Sequence, residues 1–212
     1  MLTKLIIPAL ALSLPLTAQA CELAPKADCS GTNLQGQTLA GMELDGIDLS
    51  GANLRHADLR HADLRGANLE GADLSHAQLT RANLEKANLR GARLDHANLS
   101  AIRGWALFAQ GARFTQTRLE GADLSFARLS NARFEAASLY AANLEMAWMT
   151  KTSLAGSNLR DADLQEAKLN NANLENADLR GAKLRFATFQ NTWMEGCNGC
   201  PHDWMTAKHP VD

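Results

Sequence analysis

Aromatic side chains make up only 5% of this 212-residue chain, although 46% of it is hydrophobic. A globular core ordinarily leans on Phe, Tyr and Trp, so the apolar mass, nearly all Ala and Leu, must be packed some other way. Proline is missing from 26–200: Pro8, Pro15, Pro25, Pro201 and Pro210 all lie outside. Cysteine is likewise confined to the ends, at Cys21, Cys29, Cys197 and Cys200. Neither sign of charge dominates, and the net charge of −2 gives no ground for a nucleic-acid or membrane-surface partner. No Gly-rich phosphate loop, HExxH or GxSxG motif is present, and hydroxyls, carboxylates and histidines are scattered, so no enzyme is expected. A long uniform middle between distinct ends is the mark of a repeat array with caps.

The first residues have their own character. Met1–Lys4 is a short basic start, Leu5–Leu16 an apolar run, and Ala18-Gln19-Ala20 a small-x-small cleavage site. The run is too short to span a bilayer. Residues 1–20 are therefore expected to be a signal peptide, leaving Cys21 first in a periplasmic or secreted protein. Cys21 also admits a lipoprotein reading, but Ala18 replaces the usual Leu-like residue and acylation would leave three thiols. Losing Lys4 with the leader leaves 20 Lys and Arg against 23 Asp and Glu, a net −3.

From Leu34 to Met194 every fifth residue is Leu, Phe or Met, except Gly104 and Ala109. Two positions before it sits Ala in most repeats, as in Ala52-Asn53-Leu54-Arg55-His56 and Ala172-Asn173-Leu174-Glu175-Asn176. A period of five fits neither the helix nor the strand. It fits a chain that turns a corner once per repeat. If four repeats close one coil, the central residue and the small residue before it point inward and the other three, Ser125 among them, face out. Coils would stack at about 4.8 Å with backbone hydrogen bonds between them, giving about eight coils and a rod about 39 Å tall.

The pattern A(D/N)LXX resembles the pentapeptide-repeat family. The resemblance implies an all-β fold, a right-handed quadrilateral parallel β-helix, over 34–196. Residues 21–33 are expected to cap one end and 197–212 the other, with an irregular segment at 101–110. The cysteine pairs lie at opposite ends of the rod, and a disulfide holds Cα atoms within about 7 Å. The bridges expected are Cys21–Cys29 and Cys197–Cys200. With His202 and His209 the second pair could hold zinc instead, so that choice stays open.

Residues twenty apart stack in columns. One corner then collects Trp105, Phe108, Phe126, Met146 and Trp148, with Phe186 above and Arg128 between Phe108 and Trp148. Solvent-facing aromatics in one place mark an interaction site. The other reading is that 101–110 bulges out and folds over them. A secondary candidate is the ladder Arg93, Arg113 and Arg133, suited to an acidic surface or phosphate or else a salt-bridged face with Asp95 and Glu135. His56, His76 and His96 form a third column, either a solvated corner or a pH-sensitive or metal-binding one. No metal or other cofactor is expected.

These features point to a non-catalytic protein-binding scaffold, in one form an immunity protein neutralising a secreted toxin. A structural or self-associating envelope protein is the alternative. Family members that confer quinolone resistance imply a third reading, DNA mimicry directed at gyrase; the leader and the weak acidity stand against it. The partner itself is not named by the sequence.

Overall fold

The computed structural model describes residues 21–201. The expected signal peptide, His202 and His209 lie outside the described residues. Within them the backbone repeats every five residues: the small residue, one bridge residue, the central residue, then a two-residue turn. Each bridge is parallel and joins residues twenty apart, from Asp28↔Asp48 to Asp178↔Asn198. The chain therefore coils back on itself once every four repeats and stacks.

A single repeat shows how the backbone is satisfied. Leu64 N–H donates to the Asn83 carbonyl at 2.8 Å, and Asn83 N–H donates to the Ala62 carbonyl at 2.9 Å. Ala67 N–H closes the corner onto the Leu64 carbonyl at 3.0 Å. A corner after every bridge keeps the ladder from running into long strands. The second corner residue has positive φ throughout, for example 63° at Gly51 and 59° at Phe126. A positive φ at the third residue of a turn is the signature of a type II geometry and favours Gly or Asn.

The Asp or Asn before the central Leu has a local task. Its Oδ1 accepts the amide of the first corner residue, as for Ser50 on Asp48 at 2.8 Å and Ser75 on Asp73 at 3.0 Å. This is the Asx-type contact that lets Asp and Asn set turns. The central Leu and preceding Ala form one continuous core; Ala52, Leu54, Ala62 and Leu64 are fully buried. Where the small residue is polar it is still satisfied: Thr117 Oγ1 donates to the Leu94 carbonyl at 2.7 Å.

Three expectations are corrected. Residues 101–110 do not bulge: Arg103 bridges Asn83 and Asp123, and Phe108 bridges Asn88 and Arg128. The reason is exchange of volume within the repeat. Ile102 and Leu107 take the position usually held by Ala, opposite Gly104 and Ala109, and Ile102, Leu107 and Ala109 are all buried. Second, the coil begins before residue 34 and runs past residue 196. Cys29 occupies a central position at 1% exposure, and Asn198 still bridges Asp178. Third, Ser125 is not solvent-facing; it is buried, with Oγ donating to Asp123 Oδ1 at 2.7 Å.

Candidate functional site

The corner singled out by the column arithmetic is exposed and aromatic. Trp105, Phe126, Trp148 and Phe186 are 39%, 43%, 60% and 50% exposed. Trp105 and Phe126 meet as a tilted pair with ring centroids 6.1 Å apart, and Lys86 Nζ stands 5.2 Å from the Trp105 ring. Phe108 is half-buried, with the Arg90 and Arg128 guanidinium carbons 5.0 and 5.2 Å from its ring centre. Arg128 bridges Phe108 on one side and Trp148 on the other through the backbone. Met146 is half-buried one coil above Phe126. Trp148 belongs to the same surface by register, although no ring pair among the described residues joins it to Phe126 or Phe108.

Position explains the exposure. Phe126, Met146 and Phe186 occupy the positive-φ corner, at 59°, 56° and 61°. A bulky side chain there is held in a region that sterics disfavour and is pushed outward from the rod. Lys86 and Arg90 were not legible as part of the site, because their reach across to a neighbouring column depends on side-chain conformation. Tyr140 and Trp193, 44% and 56% exposed, lie away from it in other columns.

The second candidate is largely neutralised. Arg113 pairs with Asp95 at 3.2 Å and Arg133 with Glu135 at 3.0 Å. Arg93 stands in register with Asp73 and Arg113. Exposed pairs of this kind contribute about 0–1 kcal/mol each, and they leave little free charge for a ligand. His56, His76 and His96 do stack, with ring centroids 4.9 and 4.8 Å apart and nearly parallel planes. Burial, then the charges of His96, His56 and Arg55, hold the His76 imidazole below its ordinary value. Among the described residues no group of three or more His, Cys, Asp or Glu is placed to hold a metal ion. Both expected disulfides form, Cys21–Cys29 with Cα atoms 5.3 Å apart and Cys197–Cys200 at 5.8 Å. No helix among the described residues is long and apolar enough to cross a membrane.

The pentapeptide-repeat family model matches in eight copies, over residues 27–66, 62–100, 109–135, 117–156, 137–176 and 162–198. HetL, a pentapeptide repeat protein involved in heterocyst differentiation regulation in the cyanobacterium Nostoc sp. strain PCC 7120, is 30% identical. That match covers 82% of this chain and 87% of HetL, with a TM-score of 0.48. A trypsin-treated form of QnrB1, a plasmid-mediated fluoroquinolone resistance protein, is 17% identical over 77% of this chain and 89% of that one, with a TM-score of 0.51. A pentapeptide repeat protein from the Arabidopsis thaliana thylakoid lumen is 30% identical over 66% of each chain, with a TM-score of 0.18. No curated protein matches in sequence. The family and the QnrB1 likeness carry the handedness that the bridges alone leave open, a right-handed β-helix. On repeat, register and family match together, this chain belongs to the pentapeptide repeat family.

Proposed function

We propose that this protein is an exported, non-catalytic scaffold that binds another protein through the corner bearing Trp105, Phe108, Phe126, Arg128, Met146 and Trp148. Its concrete form would be a periplasmic immunity protein that neutralises a secreted toxin, on a quadrilateral rod of about eight coils. The observation that carries the reading is the exposure of Trp105, Phe126 and Trp148 on one surface, where other coils place small or polar residues. Aromatic anchors dominate binding energy at protein interfaces, at about 2 kcal/mol or more for a hot spot. The leader-like residues 1–20 and the two disulfides support an oxidising compartment. A DNA mimic would need carboxylates where this surface carries Lys86, Arg90 and Arg128.

The test uses the protein beginning at Cys21 as bait on envelope extract, beside the double variant Phe126→Ala/Trp148→Ala. Both side chains project outward, so the variant should melt as the parent does. Capture of the partner should fall at least about tenfold, or 1.4 kcal/mol. Equal capture would place the site elsewhere; an unfolded double variant would make these residues a structural cluster. Compartment is checked separately. Residues 1–30 fused to an export reporter should yield a product that starts at Cys21, and an unprocessed cytoplasmic product would end the export reading.

A further inference from the structure

The binding surface is uneven in charge: the corner bearing Trp105, Phe126 and Met146 also carries Glu85, Glu145 and Glu166, and the side next to it does not. The protein carries −2 overall. Yet on the side bearing Phe108 and Trp148, and on the corner that follows it, the three outward columns contain no carboxylate from Asn88 to Asn191. They contain Arg90, Arg128, Lys151 and Lys168. Acids on this side are confined below, at Asp28, Asp48 and Glu70, and Asn88 Nδ2 donates to Glu70 at 3.0 Å.

Elsewhere on the rod the repeat itself neutralises many of the arginines, although Arg81, Arg93, Arg160 and Arg185 also form no ion pair among the described residues. Arg60 pairs with Asp58, Arg65 with Asp63 and Arg180 with Asp178. Among the described residues none of the four cations on the acid-free side forms an ion pair. Arg90 and Arg128 instead share one ring, that of Phe108. A cation–π contact orients a guanidinium without neutralising it. Two positive charges are thus held around one ring with no carboxylate between them.

Arg128, Trp148 and Lys168 follow one another up a single column. At a rung spacing of about 4.8 Å, the two cations stand about 9.6 Å apart with the indole between them. A polyproline II chain advances about 3.1 Å per residue and returns to the same face every third residue, about 9.3 Å on. A β-strand returns after two residues, about 6.7 Å, and does not match.

We propose that this side docks an acidic segment of the partner protein in polyproline II conformation, laid along the stacking direction. Carboxylates three residues apart would meet the Arg90–Arg128 pair and Lys168, with an apolar side chain on Trp148. The proposal rests on the scaffold reading and narrows it to the chemistry of the partner.

The test titrates the protein beginning at Cys21, by calorimetry, with a capped peptide of Glu-Pro-Pro repeats. Controls are the same peptide with Gln for Glu, an isomer with its Glu residues contiguous, and a single-stranded oligothymidylate. The spaced peptide should bind saturably. Binding should weaken at least about tenfold on regrouping the Glu residues, on raising salt from about 50 to about 300 mM, and in Arg128→Gln/Lys168→Gln. That variant alters only side chains on the outer surface, and its melting curve should match the parent. A charge-reversed Arg128→Glu protein should prefer a peptide with Lys in place of Glu. Equal binding of the spaced and contiguous peptides would overturn the geometry, and no peptide binding would overturn the proposal. Tighter binding of the oligothymidylate would make the site one for nucleic acid. If an envelope protein is captured through Phe126 and Trp148 while the spaced peptide fails, this proposal falls and the scaffold reading stands. If the peptide binds and no envelope protein is captured, the scaffold reading falls by itself.

Discussion

At the scale of single residues, the rod is governed by volume inside and by sterics at the corner. Gly104 breaks the apolar series, yet Leu would not fit there. A Cβ at Gly104 would lie 3.0 Å from the Asp123 carbonyl oxygen, 3.1 Å from Leu124 Cδ2 and 3.6 Å from Ile102 Cδ1. Gly104→Leu, which restores the repeat on paper, should cost about 1–3 kcal/mol as overpacking. Adding Ile102→Ala should recover most of it, because the pair then returns to the usual Ala-x-Leu volumes. Urea midpoints of the two variants decide the matter; equal loss in both would show that Ile102 does not compensate. Leu124 is 1% exposed, and Leu124→Asp should cost several kcal/mol by burying an unpaired carboxylate. Gln116→Asp, at an exposed corner, should change the midpoint little.

At the scale of the five-residue element, a residue with positive φ tolerates a side chain by its position and not by φ alone. Gly51, a second corner residue, and Gly199, which follows the last bridge, both have positive φ, 63° and 76°. Around Gly51 a Cβ would meet nothing within 4 Å, so Gly51→Ala should cost only the left-handed backbone, about 1–2 kcal/mol. At Gly199 the Cβ would fall 2.8 Å from Arg180 N and 2.9 Å from the Leu179 carbonyl carbon, so Gly199→Ala should cost clearly more and loosen the last coil. Paired thermal melts would show this, and equal shifts would contradict it. The element was well legible in the sequence, since period, inward positions and twenty-residue columns all follow from spacing. The Cys pairs were legible because only neighbours along the rod can meet. What was not legible depends on side-chain reach. Ile102 filling the space of Gly104, Ser125 turning back onto Asp123, and Arg90 crossing to Phe108 are properties of neighbours in three dimensions. The Asx contact from Asp or Asn to the next turn was also missed, although the recurrence of those two residues before each Leu was its signal. Where Arg replaces them, at 93, 103, 113, 118, 128 and 133, the corner loses that bond and the guanidinium is released to the surface.

At the scale of the whole molecule, acidity should act on the rod in two stages of the same sign. The His76 imidazole sits below its ordinary 6.5 in the fold. The unfolded chain therefore binds more protons there, and stability present above about pH 6.5 falls as pH drops through that range. Thermal melts at about pH 7.5 and 5.5 should show the drop. His76→Asn, which suits the φ of 62° at that corner, should flatten it; an unchanged drop would clear the histidine column of any part. Asp58, Asp63 and Asp178 lie below the carboxylate range through hydrogen bonds from Arg60, Arg65 and Arg180, with Asp178 lowered to about 2. Their contribution is present above the usual carboxylate range and is lost as pH falls through about 4 towards 2. The twenty-residue register also reaches back to inheritance. A tandem duplication of five codons between those for Arg128 and Trp148 would leave every repeat intact and the core continuous. It would nonetheless swing everything above it by a quarter turn, so that Trp148 no longer stood over Arg128. Within that span only growth by blocks of twenty codons keeps such a surface in phase, and any other step takes the surface apart.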